Sequence, residues 1–249
     1  SMQEPASFYE VNTTGSFNLL EAMRHHECRQ IVFSSTAAIY GNTNLDMLDE
    51  TLPAQPENPY GRSKAMVETM IADYCALYGF RSIALRYFNA AGADPSRRTG
   101  ERHDPETHLI PLALLAAAGR RDGLKIFGND YDTPDGTCIR DYVHVDDLAT
   151  AHVKALEHIT GKTKPFFDCV NIGTGKGCSV REILMLCREV TGIEFPISDA
   201  ARRPGDPVKL IANPAKANSL LNWKPKYTDP RETIAHAWAY YCSNPRKSE

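Results

Sequence analysis

Two short apolar runs, "RQIVFSS" at 29–35 and "SIALRYFN" at 82–89, each follow directly on an amphipathic helical stretch, and this alternation restricts the fold more than any other feature of the chain. From Thr13 to Glu27, Phe17, Leu20 and Met23 recur at helical spacing; Gly61 to Tyr78 is a second such stretch, closed by Gly79. Strands that alternate with helices are parallel, because each helix carries the chain back across the sheet. The pattern continues with a helix over 109–120, "LKIFG", "IRDYVHV", a helix from Asp146 to Ile159, "FFDCVNIG", and a helix in "CSVREILMLCREVTG" where Ser179 and Glu182 have the capping-box form. In the tail from Asn213, Trp223 and Trp238 are expected to bury the last helix. Two stretches read as loops: the Pro- and Asp-rich "TNLDMLDETLPAQPENP", and the polar residues 93–108, of the kind that lies over a site.

A doubly wound sheet that binds a dinucleotide opens with a strand, a glycine-rich turn and a helix. These residues begin "SMQEPASFYEVN", already the approach to a helix. The expected fold is therefore α/β: a partial Rossmann-type doubly wound parallel sheet, its N-terminal strands missing, with a smaller α/β substrate-binding domain. Residues 1–92, with 141–172 partly returning to them, form the first unit, and 93–249 the second.

The 28 basic and 31 acidic residues are interspersed, with a net charge of -3, so nothing marks a surface for nucleic acid or for a membrane. The seven cysteines are scattered and never spaced C-x-x-C, which argues against zinc and a disulfide framework, and no metal is expected. With no signal-peptide pattern and no apolar run of spanning length, a reducing cytoplasm is the expected location.

"NIGTGKG" follows a strand and precedes a helix, but Gly173, Gly175 and Gly177 are spaced G-x-G-x-G rather than G-x-G-x-x-G. The plainer reading is a tight strand-to-helix connection whose glycines supply positive φ and close packing.

Tyr60 and Lys64 stand four apart in "NPYGRSKAMVE" and so share a helix face. Alone, they are equally a solvated pair. Upstream, "FSSTAAIYG" ends a strand with Ser34, Ser35 and Thr36, and the carboxyl ends of parallel strands are where such sheets bind ligands. Phenol, ammonium and hydroxyl at one edge are suited to acid/base work: a nearby Lys⁺ and a cationic nicotinamide favour the phenolate, letting Tyr60 take or return a hydroxyl proton while hydride moves to or from a cofactor.

A Ser/Thr followed by Y-x-x-x-K resembles the short-chain dehydrogenase/reductase superfamily. With "LRYFNAAGA", "LKIFGNDYDTPDGTCIRDYVHVDDLA" and "RRPGD", the chain resembles the UDP-glucose 4-epimerase family, in order, from residue 1 to about 240. The resemblance implies interconversion of UDP-glucose and UDP-galactose with bound NAD. Tyr60 is then the acid/base, Lys64 binds the nicotinamide ribose, Thr36 assists proton transfer, and Asn12, Ser34 and Tyr87 line the cofactor. Asn89, His108, Leu109, Lys125, Phe127, Arg140, Arg203, Asp206 and Leu210, with Thr36, face the UDP-hexose. Guanidinium groups bind a diphosphate bidentately, which makes Arg140 and Arg203 the phosphate candidates. Leu210 stands where some members carry a bulky Tyr, suggesting room for N-acetylated sugars. Helices near 10–27 and 61–78 match those that pair subunits, so a homodimer is expected. Related dehydratases and decarboxylases carry acidic residues just after the catalytic Ser/Thr; here Ala37 and Ala38 follow. The alternative is a truncated, non-catalytic UDP-sugar-binding fragment, since without the glycine turn the 249 residues alone are expected to be inactive or unstable.

Overall fold

The computed structural model describes residues 2, 4–43, 45–203 and 205–244. Helix α1 (Pro5–Phe8), a π-helical stretch at Tyr9–Thr14 and α2 (Gly15–His25) run end to end, and β1 (Gln30–Thr36) passes into a 3₁₀ turn at Ala37–Tyr40. The long α3 (Pro59–Tyr78) returns the chain to β2 (Arg81–Tyr87), which pairs parallel to β1 from Gln30↔Arg81 to Thr36↔Tyr87. Then come β3 (Asn89–Ala91), α4 (Leu109–Ala117), β4 (Leu124–Phe127), β5 (Ile139–Arg140), β6 (Tyr142–His144), α5 (Val145–Thr160) and β7 (Phe166–Ile172). β7 pairs parallel to the other edge of β2, giving a three-stranded sheet in the order β1–β2–β7. The chain closes with β8 (Cys178–Ser179), α6 (Val180–Thr191), β9 (Ile197–Ala200), β10 (Lys209–Leu210), α7 (Ala215–Leu221) and α8 (Pro230–Ser243).

The central strand explains the layering. The five interior residues of β2 are all buried, as required of a parallel strand covered on both faces. On one face Leu20 of α2 and Val67, Ile71, Tyr74 and Cys75 of α3 pack together with Phe80; on the other, Leu148, Ala151, Ala155 and Ile159 of α5 meet Ile83, Leu85, Val170 and Ile172. The chain is thus an α/β fold with helices on both sides of a parallel sheet. A second cluster gathers α4, α6 and α8 around Ile110, Leu114, Ile183, Leu184 and Ile234, beside the parallel β4–β9 pair and the β10–β5–β8 sheet.

Helix α3 starts two residues before the apolar pattern suggests, because Asn58 caps it: its side-chain oxygen accepts from the Gly61 N–H at 2.8 Å, and Pro59 occupies the first turn, where no N–H is missed. The Ser179–Glu182 capping box forms reciprocally, at 3.0 and 2.7 Å. Trp223 departs from expectation. Rather than covering the last helix it packs with α5 and α7, its indole N–H donating to the Asp147 carbonyl at 3.1 Å, whereas Trp238, on α8 itself, stacks on Tyr241.

The glycines of "NIGTGKG" enclose a carboxylate of this chain. Asp141, fully buried, accepts from Thr174 N–H and Gly175 N–H, both at 2.9 Å, and from the Ala212 N–H at 3.2 Å. A β-carbon on Gly173 would stand 2.6 Å from that carboxylate, so only glycine fits. The loop is an anion nest filled from within.

Candidate active site

The carboxyl ends of β1 and β2 meet the first turn of α3. Thr36, the last residue of β1, caps the 3₁₀ turn by accepting from the Ala38 N–H at 3.1 Å, and its hydroxyl is hydrogen-bonded to the Tyr60 phenol. Gly61 permits that contact: a β-carbon there would lie 2.6 Å from the Ala38 carbonyl oxygen. One turn along α3, Lys64 reaches back to β1, its ammonium donating to the Ser34 carbonyl at 3.1 Å and lying 5.9 Å from the centre of the Tyr60 ring. Tyr87, opposite Thr36 in the sheet, is near enough to Tyr60 to affect its ionisation. The Asn12 amide donates to Ser63 Oγ at 3.0 Å, fixing the π-helical stretch against α3. Ser34 contributes its carbonyl to Lys64, while its hydroxyl pairs with His152 of α5 at 3.1 Å.

Burial governs the titration of this pair. It raises the Tyr60 phenol above its ordinary value, opposed by the Thr36 hydrogen bond, and lowers the Lys64 ammonium. Among the described side chains burial is the largest influence on the phenol; the lowering expected from Lys64 together with a cationic nicotinamide concerns the cofactor-bound site.

Beside the start of α3 opens a cleft of about 350 Å³ lined by Asn42, Glu57, Tyr131, Arg202, Arg203, Gly205, Asp206 and Val208. Asn42 and Glu57 lie on the two segments that bear Thr36 and Tyr60, although none of Thr36, Tyr60 and Lys64 itself lines the cleft. Arg203, exposed, stacks on Phe127 with its guanidinium 3.9 Å from the ring centre. Arg140 is buried and ion-paired to Asp206, and its guanidinium also donates to the Ile139 carbonyl at 2.8 Å. Pro204, between Arg203 and this loop's Gly205, lies outside the described residues. Leu210 is half-buried against Ala37, Tyr40 and Phe88. Asn89 lies at the start of β3, its N–H bonded to the Asp141 carbonyl at 2.9 Å. Lys125 is exposed on β4, and among the described residues no hydrogen bond or ion pair ties it to the set. His108 caps α4, but its imidazole is turned to Glu101, at 2.6 Å, whose carboxylate raises it to about 8.

Sequence reasoning missed the network beneath the site. Glu68, on α3, forms a buried ion pair with Arg86 of β2 at 2.6 Å and accepts from Ser35 of β1 at 2.5 Å. Arg86 also donates to Tyr40 at 3.1 Å, and Tyr40 donates to Asn171 of β7 at 2.7 Å. One network therefore ties α3, the helix that bears Tyr60, to all three strands. The available signal was an arginine inside an otherwise apolar central strand, which must have a buried partner.

The family model described as GDP-mannose 4,6 dehydratase matches residues 1–234. The UDP-glucose 4-epimerase of Halalkalibacterium halodurans is 47% identical over 247 residues, 98% of this chain and 73% of the relative. Among solved structures, UDP-glucose 4-epimerase from Brucella ovis in complex with NAD superposes with a TM-score of 0.92 at 47% identity, covering 97% of this chain and 74% of that one. The Bifidobacterium longum UDP-glucose 4-epimerase, in complex with NAD+ and UDP, superposes with a TM-score of 0.92 at 35% identity, covering 98% and 73%.

Proposed function

The chain belongs to the UDP-glucose 4-epimerase family, and we propose that it interconverts UDP-glucose and UDP-galactose by inverting C4 of the hexose, with Tyr60 as acid/base. The observation that carries this reading is the Thr36 hydroxyl hydrogen-bonded to the Tyr60 phenol, one helical turn from a Lys64 ammonium anchored on Ser34.

The residues present fit the nicotinamide half of NAD. Lys64 gives one of its three N–H donors to the Ser34 carbonyl, leaving donors suited to a ribose diol beside the phenol. Lys64 and Tyr60 would hold the nicotinamide end of NAD, which would supply a reversible hydride acceptor for C4 and a positive charge that favours the phenolate. Tyr60 removes the proton of the 4-hydroxyl as hydride leaves C4 and gives it back on return; Thr36 bonds the phenol and steadies the transferring proton. The substrate ends with its original oxidation level.

Arg203, stacked on Phe127, is placed to meet a diphosphate, and Arg140 supports that wall through Asp206. Dehydration is disfavoured because Ala37 and Ala38, directly after Thr36, supply no carboxyl group for further proton transfer. Isothermal titration of UDP tests the cleft: Arg203→Ala should weaken binding at least about tenfold, and unchanged affinity would remove Arg203 from the site.

A homodimer through α2 and α3 is supported by the apolar side chains exposed along this part of the surface, Val11, Phe17, Leu19, Met66 and Leu77. Sedimentation should give twice the chain mass; a monomer at micromolar concentration contradicts it. All seven cysteines are free thiols, which supports a reducing compartment, the cytoplasm. Cell fractionation placing the protein in an oxidising compartment would contradict that. No helix among the described residues is long and apolar enough to cross a membrane.

A further inference from the structure

A separate cluster of ligating side chains lies where the polar loop of residues 93–108 enters α4. We propose that His103, Glu106 and His108 form a binding site for a divalent metal ion of the zinc class. One ligating atom from each lies within 4.8 Å of the others, and two imidazoles with a carboxylate are a donor set that zinc accepts.

The surroundings already orient these groups. The Nδ1 of His103 is 2.7 Å from the Pro105 carbonyl oxygen. A carbonyl only accepts, so the ring donates from Nδ1 and presents Nε2, as metal-bound histidines commonly do. Glu106 Oε1 receives the N–H groups of Thr107 and His108 at 2.8 and 2.9 Å, which fixes the carboxylate. The imidazoles of His103 and His108 converge, with ring centres 5.4 Å apart. His108 Nδ1 donates to Glu106 Oε1 at 3.1 Å, and a bound ion would take the place of that proton; the separation is close to the edge of about 3.3 Å in a tetrahedron with zinc–ligand bonds of about 2.0–2.1 Å. Glu101, 2.6 Å from the same nitrogen, brings a second carboxylate, whose charge a dication neutralises.

His103 and His108 are exposed, so the ion enters from solvent. Once bound it joins the loop to the first turn of α4, because His108 is that helix's cap. The absence of C-x-x-C spacing speaks only to thiolate sites and leaves this nitrogen and oxygen cluster unaddressed.

The test is calorimetric titration of chelator-treated protein with zinc chloride, with cobalt(II) followed in parallel by visible absorption. One ion should bind per chain, with d–d bands and no thiolate charge-transfer band. His103→Ala and Glu106→Gln should each weaken binding roughly 10- to 100-fold or more, with unchanged circular dichroism. Lack of stoichiometric binding, wild-type affinity in both variants, or a thiolate band would overturn the proposal.

Discussion

The Ala38 carbonyl oxygen lies 2.6 Å from the position a β-carbon would take on Gly61. The first turn of α3 is therefore pressed against the 3₁₀ turn that follows Thr36, and this contact sets Tyr60 beside Thr36. Gly61→Ala must push the turns apart by several tenths of an ångström. Since misplacement of a reacting group by about 1 Å can cost 10²-fold, kcat should fall about 10- to 100-fold with UDP affinity preserved. Steady-state kinetics with UDP titration checks this; a wild-type kcat would show that the close approach does not position Tyr60.

Beneath the site, Arg86→Met would leave the Glu68 carboxylate buried without its cation. Removing one member of a buried pair costs about 3–5 kcal/mol, and urea unfolding should show a loss of that size. Glu68→Gln combined with Arg86→Met should recover part of it. Losses that simply add would mean the two residues act separately.

His144, fully buried at the start of α5, gives a pH signature. Burial, then the neighbouring His236, lower it to about 4; Asp146 and Glu232 oppose this, and Lys226 adds to it. Tyr227 packs on its ring at 4.2 Å between centres. Its folded pKa lies below the unfolded value of 6.5, so below that pH the unfolded chain takes up a proton the native state does not. Stability should fall as pH drops from about 6.5 to about 4, by up to about 3 kcal/mol from this group. His144→Asn keeps an N-cap acceptor and should flatten the dependence. An equally steep fall in the variant would assign the effect elsewhere.

Leu210, half-buried near the cleft, stands where some relatives by resemblance carry Tyr. The enzyme should turn over UDP-N-acetylglucosamine, and Leu210→Tyr should reduce that activity more than activity on UDP-galactose. A wild-type enzyme inert toward the N-acetyl sugar contradicts this.

What the chain disclosed of itself follows a physical division. The parallel sheet and its helices were legible because burial on both faces of β2 and one-sided burial of α3 and α5 leave periodic marks, whereas the strand order was not read. Tyr60, Lys64 and Thr36 were legible because two of them share a helix face and the third ends a strand. The Glu68–Arg86 pair and the Asp141 nest were not, since their partners meet only through tertiary packing. His108 shows the same limit: the resemblance turned it toward the UDP-hexose, but the Glu101 carboxylate that holds its ring comes from the preceding loop.

The central claim is that Tyr60 performs the proton transfer of C4 inversion. It is tested most directly by comparing conversion of UDP-galactose to UDP-glucose, with NAD supplied, in the full-length wild-type enzyme and in Tyr60→Phe. Loss of the general acid/base should lower the rate about 10²- to 10⁴-fold without abolishing UDP binding. Conversion by Tyr60→Phe at the wild-type rate would contradict the account.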